Sequence, residues 1–319
     1  MILIRLTIVV ALIFLTNTAV CPAGAQTPIA PLKYGDHVGG RVLVIGTVTT
    51  NPKFNYGRMQ GIAEYVLEHM GDLGVDSVEV FSVDKPEKMS RLLLDGRVDW
   101  VSATPLNAVR FADNGGGEML LARATRGRAW YQSVFFARKD QPLRSLDGLR
   151  GKTIAFEKPG STSAFFMPVT MLSEAGLSLV QLDSVRDKPP KDAIGYLFSG
   201  EESNSTLWVH KGLVDAAVFS DDDWESEYIT PPKLREDLVI FERSQRLPRS
   251  VEVVRSSLPE PIKQRLKQVL LAAPDDPDAT AALHQYYHAT GFSEINDEMR
   301  RAFDGIRSNI GVVTELTAR

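Results

Sequence analysis

The 319-residue chain has a single cysteine, Cys21. A disulfide within one chain needs two thiols, and a zinc site built on cysteine ligands also needs more than one, so the sequence excludes both. Charge of one sign is not in excess either, because 36 basic side chains accompany 40 acidic ones, for a formal net charge of −4. The class of proteins that bind nucleic acids or anionic membranes through surplus positive charge is therefore disfavoured.

Long apolar runs are also scarce beyond the N-terminus. Residues 6–15 are almost entirely apolar, follow the basic Arg5, and precede an Ala-Gly-Ala sequence that ends at Ala25. A short apolar core between a positive charge and small residues is typical of a secretory signal peptide, and this run is too short for a good membrane span. We expect residues 1–25 to be a signal peptide. The alternative is a lipoprotein that is cleaved before Cys21 and anchored there.

The length and the hydrophobic periodicity predict two α/β lobes. A chain of 319 residues is long enough for two domains. Residues 26–39 contain prolines and glycines and are predicted to form an N-terminal arm. After them, short apolar runs alternate with segments of helical period, which is typical of a largely parallel sheet with flanking helices. Because no low-complexity linker separates the lobes, we expect the chain to cross between them more than once: lobe 1 comprises 40–128 plus 244–319, and lobe 2 comprises 129–243.

Three hydroxyl side chains, Ser161, Thr162 and Ser163, follow a predicted strand and a Pro-Gly turn, at the point where a helix is predicted to begin. The first amides of a helix have no internal partner, and the helix dipole adds partial positive charge there. Amides and hydroxyls together can bind a tetrahedral oxyanion without Lys or Arg. The alternative is ordinary N-capping by one serine. Pro168 lies inside the predicted helix, and we expect it to cause a kink near Ala164 or to isolate the first turn.

Several other short motifs accompany this segment in a fixed order between residues 40 and 290. They are Gly96-Arg97-Val98-Asp99 with Thr104-Pro105, Tyr131-Gln132-Ser133-Val134, Leu146 to Thr153 followed by Pro159 to Ser163, and Gly212 to Ala216. In this order they resemble the phosphonate- and phosphite-binding proteins of ABC importers. The resemblance implies a two-lobed periplasmic binding protein of type II-like α/β fold, in which each lobe is a mostly parallel sheet flanked by helices and the ligand cleft lies between them.

The resemblance also implies a set of ligand contacts, which are Ser161, Thr162, Ser163, Tyr131, Thr104, Asp222 and Glu202. The three hydroxyls would hold the ligand oxygens, Tyr131 would add a phenol, and Thr104 would close over the ligand from lobe 1. Glu202 falls where some members have a ligand-binding histidine, and Asp222 falls at an acidic contact. A carboxylate can accept a hydrogen bond from a protonated ligand oxygen or pair with an ammonium. A solvated acidic turn is the alternative for Asp222.

Two departures from the family leave the ligand open among phosphonate, phosphite and phosphate. Some members have a ligand-binding tyrosine where this chain has Lys85-Pro86, and a second carboxylate where it has Arg249-Ser250. That second carboxylate helps to hold an aminoalkyl ammonium, so its absence disfavours an aminoalkylphosphonate.

Catalysis, cofactors and metal ions are not expected. His284 and His288 lie one helical turn apart but lack a third ligand, and the sequence has no phosphate loop with lysine, dinucleotide fingerprint or serine elbow. We therefore expect a periplasmic, monomeric, non-enzymatic protein whose partners are a small oxyanion and an ABC permease of the inner membrane, with no nucleic acid. The alternatives are a periplasmic sensor that feeds a membrane receptor kinase and an exported hydrolase.

Overall fold

The computed structural model describes residues 41–317, so the predicted signal peptide, the arm and Cys21 lie outside the described residues. The helices and strands of the described part are β1 (Arg41–Val48), α1 (Pro52–Glu68), β2 (Val75–Val83), α2 (Pro86–Leu94), β3 (Trp100–Ala103), α3 (Pro105–Asp113), β4 (Gly117–Thr125), β5 (Trp130–Tyr131), β6 (Ser133–Arg138), β7 (Thr153–Phe156), α4 (Met167–Glu174), β8 (Ser178–Gln181), β9 (Ala193–Phe198), α5 (Glu202–His210), β10 (Ala216–Ser220), α6 (Asp221–Glu225), α7 (Pro232–Arg235), β11 (Leu238–Arg243), β12 (Leu247–Pro248), β13 (Ser250–Arg255), α8 (Glu260–Ala272), α9 (Thr280–Gln285), β14 (Ala289–Ser293) and α10 (Asp297–Thr317). Within residues 41–317, no helix combines the length and the apolar character that a membrane span requires.

Two six-stranded sheets organise this α/β fold. Their strand orders are β14-β4-β13-β3-β1-β2 and β11-β6-β10-β7-β9-β8. The second sheet has parallel pairing among β10, β7, β9 and β8, and antiparallel pairing only at β6. In the first sheet only β1–β2 and β1–β3 are parallel, whereas the three pairings that involve β13 or β14 are antiparallel. The expectation of a mostly parallel sheet therefore fits the second sheet, and the first is mixed because late segments of the chain return to it.

The chain crosses twice between the sheets. It leaves the first sheet after β4 and returns to it at β13, and the two crossover segments pair as a short antiparallel ribbon of β5 and β12. The C-terminal helix α10 contacts α3, which packs on the first sheet, and also α4 and β8 of the second. We call the first sheet with its helices lobe 1 and the second sheet with its helices lobe 2. The ligand-binding residues that the sequence predicts fall near the crossovers and at the strand ends beside them.

Candidate ligand site between the lobes

A polar cavity of about 330 Å³ lies beside the crossovers. Its walls come from the ends of β1, β3 and β4, from the first turns of α1 and α3, and from single residues near the crossovers. The lining residues are Thr47, Val48, Thr49, Asn55, Ser102, Ala103, Thr104, Asn107, Phe111, Arg123, Thr125, Lys158, Arg249, Ser250 and Tyr287. Of the predicted ligand contacts, Thr104 is the one that belongs to this lining. The other predicted contacts lie outside this lining.

The segment after β7 begins with an irregular turn, as Pro168 predicts. Ser161 caps it, and its Oγ accepts a hydrogen bond from the amide of Ala164 at 3.1 Å. Residues Thr162–Phe166 form one π-helical turn before α4 begins. Pro168 has no N–H to donate to the carbonyl of Ala164. That carbonyl instead accepts from the amide of Glu157 at 3.4 Å, which fixes the turn against the end of β7.

This turn leaves amide donors available inside the protein. Thr162 is 2% exposed and Ser163 is 8% exposed. Among the hydrogen bonds of residues 41–317, none uses the amide of Thr162 or of Ser163 as donor. Buried amides are nearly always paired, so two adjacent unpaired amides at a helix N-terminus are suited to bind an anion.

The N-terminus of α3, from lobe 1, meets this turn. The amide of Leu106 donates to Thr162 Oγ1 at 3.3 Å, between residues that lie 56 positions apart. Thr104 caps α3, because its Oγ1 accepts from the amide of Asn107 at 3.4 Å. Both helix termini carry partial positive charge, so they repel one another unless an acceptor lies between them. In this structure the hydroxyl of Thr162 is that acceptor.

Tyr131 adds a neutral donor beneath the turn. It is 3% exposed, and its hydroxyl is within hydrogen-bonding reach of the side chains of Thr162 and Ser163. The guanidinium of Arg249 lies 4.9 Å from the centre of its ring. Burial raises the pKa of Tyr131 to about 12, so the phenol keeps its proton at neutral pH. The structure therefore brings together Tyr131, Thr162, Ser163 and the first turn of α3.

Asp222 has two cationic partners of its own. Its Oδ1 lies 3.2 Å from Arg128 Nη1, and its Oδ2 lies 2.6 Å from Arg249 Nε. Arg128 belongs to the first crossover and Arg249 to the second, so the carboxylate ties both crossovers to α6 of lobe 2. Sequence reasoning missed this structural role, and the ligand contact proposed for Asp222 stays a prediction.

Glu202 begins α5 and is half-buried, in a group of carboxyls with the buried Glu157 and the half-buried Asp223. Burial, reinforced by the negative charge of Glu157 and Asp223, raises the pKa of Glu202 to about 9. Burial also raises the pKa of Asp223, against the hydrogen bond from Ser220 and the charge of Arg249. A protonated carboxyl can donate a hydrogen bond. Glu202 can therefore face an oxyanion at neutral pH without repelling it, and Glu157 and Asp223, which sequence reasoning missed, maintain that state.

The two histidines do not assemble a metal centre within the described part of the chain. The rings of His284 and His288 lie 4.6 Å apart and nearly perpendicular. No group of three or more His, Cys, Asp or Glu side chains among residues 41–317 is arranged to hold a metal ion.

Comparison with known proteins identifies a family match that covers most of the chain. The family model described as "ABC transporter, phosphonate, periplasmic substrate-binding protein" matches residues 46–299. The curated phosphate-import protein PhnD of Mycolicibacterium smegmatis is 31% identical over 125 residues, which are 39% of this chain and 34% of that protein. This chain therefore spans about a third of the length of that relative.

Solved structures are similar over a larger share of the chain. XAC2383 from Xanthomonas citri bound to chloride is 34% identical with a TM-score of 0.83, and covers 86% of this chain and 99% of its own. The same protein bound to ATP gives 33% identity and a TM-score of 0.81, with 86% and 98% covered. PhnD1 from Prochlorococcus marinus in complex with methylphosphonate has a TM-score of 0.65 at 19% identity, over 85% of this chain and 98% of that one. That last likeness is one of fold alone.

Proposed function

Because this chain belongs to the family of periplasmic phosphonate-binding components of ABC transporters, we propose that it captures a small tetrahedral oxyanion of the phosphonate, phosphite or phosphate class by closure of its two lobes. One observation supports this proposal above the others. The amide of Leu106 in the first turn of α3, from lobe 1, donates to the hydroxyl of Thr162 in lobe 2, beside the unpaired amides of Thr162 and Ser163. A ligand oxygen is a stronger acceptor than that hydroxyl and would take its place.

The proposed binding mode uses neutral donors on both sides of the ligand. From lobe 2, the amides and hydroxyls of the Ser161–Ser163 turn would bind two or more ligand oxygens, and the phenol of Tyr131 would add another donor. The protonated carboxyl of Glu202 would donate to the ligand from the start of α5. From lobe 1, the amide of Leu106 and the hydroxyl of Thr104 would complete the set. Ligand binding then favours the closed arrangement by the free energy of the donors that only this arrangement brings together.

The proposed ligand class includes phosphoryl groups that carry a larger organic body. The cavity of about 330 Å³ beside the turn exceeds the space that one small oxyanion needs, since a single water accounts for roughly 30 Å³ of liquid volume. XAC2383, which is similar over most of this chain, was solved bound to ATP. We therefore include organophosphates with inorganic phosphate, phosphite and simple phosphonates.

The family implies a periplasmic location and a membrane permease as partner. We propose that the chain acts as a monomer and binds its ligand without chemical turnover. A sensor that feeds a receptor kinase would use the same closure, and we do not favour it, because no contact within residues 41–317 argues for it over transport. Neighbouring permease and ATPase genes would support transport, whereas a neighbouring kinase gene would support sensing.

Thr162→Val tests the proposed site. The matched control is Thr170→Val, because Thr170 is 3% exposed and donates to the carbonyl of Phe166 at 3.0 Å on the neighbouring helix, away from the cavity. Loss of a buried hydrogen bond costs about 1–3 kcal/mol, which corresponds to roughly fivefold to 150-fold in affinity. Thermal-shift screening of phosphate, phosphite, methylphosphonate, aminoethylphosphonate and ATP identifies a ligand, and calorimetry measures its affinity.

We expect a ligand at about 100 times its Kd to stabilise the protein by roughly 2.7 kcal/mol. Thr162→Val should bind at least about fivefold more weakly than Thr170→Val at similar stability. Equal affinities in the two variants would refute the site, and the absence of any stabilising ligand in the panel would refute the ligand class.

A further inference from the structure

Three residues with side chains adopt a left-handed backbone on the lobe 1 side of the cavity. They are Arg126 with φ 51°, Tyr287 with φ 55° and His288 with φ 55°, and they are the non-glycine residues of the described chain with positive φ. They form one local structure, because the amide of Arg126 donates to the carbonyl of His288 at 3.0 Å. Such conformations are costly for L-residues and are concentrated at binding sites, where the surroundings impose them.

The backbone in this conformation places the ring of Tyr287 close to two guanidinium groups. Arg58 Cζ lies 5.3 Å from the ring centre and Arg123 Cζ lies 4.8 Å from it. The Tyr287 hydroxyl donates to Asn55 Oδ1 at 2.7 Å, and both residues line the cavity. The strained segment therefore sets the position of a cavity wall that has two positive charges near it.

The two guanidiniums differ in how their charge is balanced. Arg123 is 4% exposed and pairs with the fully buried Glu252 at 3.0 Å. Arg58 is half-buried, and among residues 41–317 no carboxylate lies within ion-pair distance of it or of the exposed Arg126. Burial, with the charges of Arg126 and Arg123, lowers the pKa of Arg58 against the opposing influence of Tyr287. A partly buried charge among like charges is unfavourable unless an anion joins it.

The side chains that line the cavity are likewise either positively charged or neutral. Three cationic side chains, Arg123, Lys158 and Arg249, line it, and none of its described lining residues is Asp or Glu. The charges of all three are balanced by carboxylates that lie outside the lining, namely Glu252, Glu157 and Asp222. A ligand that extends from the Thr162 turn through the cavity toward Arg58 therefore meets positive charge and neutral polar groups.

We propose that Arg58 and Arg126 form a second anion subsite beside the lobe 1 end of the cavity, and that the ligand carries a second anionic group, a carboxylate or a phosphate, joined by a short spacer to its phosphoryl group. This inference rests on the proposed function, because the first group occupies the Thr162 turn. The proposed ligand differs from aminoalkylphosphonates, because the second group of an aminoalkylphosphonate is a cation. Hydrogen bonds between ionised partners are about twice as strong as neutral ones, so the second group contributes substantially to affinity.

The test compares ligands that differ only in the second group. Calorimetry measures methylphosphonate and aminoethylphosphonate against a carboxylate series, phosphonoacetate, 3-phosphonopropionate and 4-phosphonobutyrate, and against a phosphate series, pyrophosphate and methylenediphosphonate. We expect at least one ligand of the two series to bind tenfold or more tightly than methylphosphonate, and aminoethylphosphonate to gain nothing. The series that contains the tightest ligand identifies the second group as carboxylate or phosphate.

The double variant Arg58→Met, Arg126→Asn removes both charges. Met keeps an unbranched side chain against Phe54 and Tyr287, and Asn tolerates the left-handed backbone at 126. The matched control is Arg91→Met, Arg186→Asn, which removes the same charge from two exposed positions outside the cavity lining.

The double variant should reduce the affinity ratio of the best two-anion ligand to methylphosphonate by at least tenfold, and the control should keep the wild-type ratio. If methylphosphonate binds and the second group gives no gain, or if the gain survives in the double variant, the second subsite is refuted while the proposed function stands. If no phosphonate or phosphate binds, the proposed function fails and the second subsite fails with it.

Discussion

The half-buried carboxyl of Glu202 makes stability depend on pH in a direction opposite to that of an ordinary ion-paired acid. The folded protein raises the pKa of Glu202 from 4.5 to about 9. Between those limits the native state holds a proton that the unfolded state has lost, so the free energy of unfolding decreases as pH rises. The slope depends on the number of protons and not on the size of the shift: one proton corresponds to about 1.4 kcal/mol per pH unit. Glu202→Gln removes this proton and keeps the shape of the side chain.

Urea unfolding at pH 6, 7 and 8 and constant ionic strength measures the effect. Relative to wild type, Glu202→Gln should gain about 2.7 kcal/mol of stability between pH 6 and pH 8, the product of one proton and two pH units. Glu201→Gln is the control, because it makes the same substitution at an exposed position one residue earlier. Parallel pH profiles of Glu202→Gln and wild type, or an equal gain in Glu201→Gln, would refute the assignment of a protonated Glu202.

Two further substitutions test polar contacts that support the site. Asp222→Asn leaves Arg128 and Arg249 without their shared carboxylate, and we expect it to lower the free energy of unfolding by about 1–3 kcal/mol. The control Asp237→Asn, at an exposed pair with His210, should change that free energy little. Equal effects of the two variants in thermal unfolding would contradict the role of Asp222 at the crossovers. Tyr286→Phe removes a donor at 2.7 Å from the buried Glu252 and should lower the free energy of unfolding by about 1–3 kcal/mol. Tyr196→Phe should lower it less, because the hydrogen bond of Tyr196 to Gln181 is only partly buried. Denaturant midpoints that rank the two variants in the opposite order would contradict this prediction.

The features that the sequence predicted correctly depend on neighbouring residues. Thr104 and Pro105 predict the start of α3 because a side-chain oxygen and a fixed φ act within one turn. Pro168 predicts the irregular turn for the same reason, since its missing N–H affects a carbonyl four residues away. The two-lobed α/β class follows from the alternation of strand and helix patterns along the chain.

The features that the sequence could not give depend on contacts between distant segments. Glu157, Glu202 and Asp223 lie in segments that follow three different strands, and the raised pKa values of Glu202 and Asp223 arise only where the fold brings these carboxyls together. The partners of Asp222 lie on two separate crossovers, and Arg128 is 94 positions away. The mixed pairing of the first sheet likewise depends on where β13 and β14 return, which no local pattern specifies.

The proposed site has consequences for release as well as for capture. Its inner donors are neutral, namely the amides of Leu106, Thr162 and Ser163 with the phenol of Tyr131, and they are divided between the two lobes. Separation of the lobes would remove the amide of Leu106 and restore water to the remaining donors, so the hold on the phosphoryl group weakens without any change of charge. Fixed cations at the same point would keep attracting the anion after opening. In the arrangement that we propose, the unbalanced cations are confined to the lobe 1 end of the cavity, where they select the second group of the ligand and leave the first free to depart when the lobes separate.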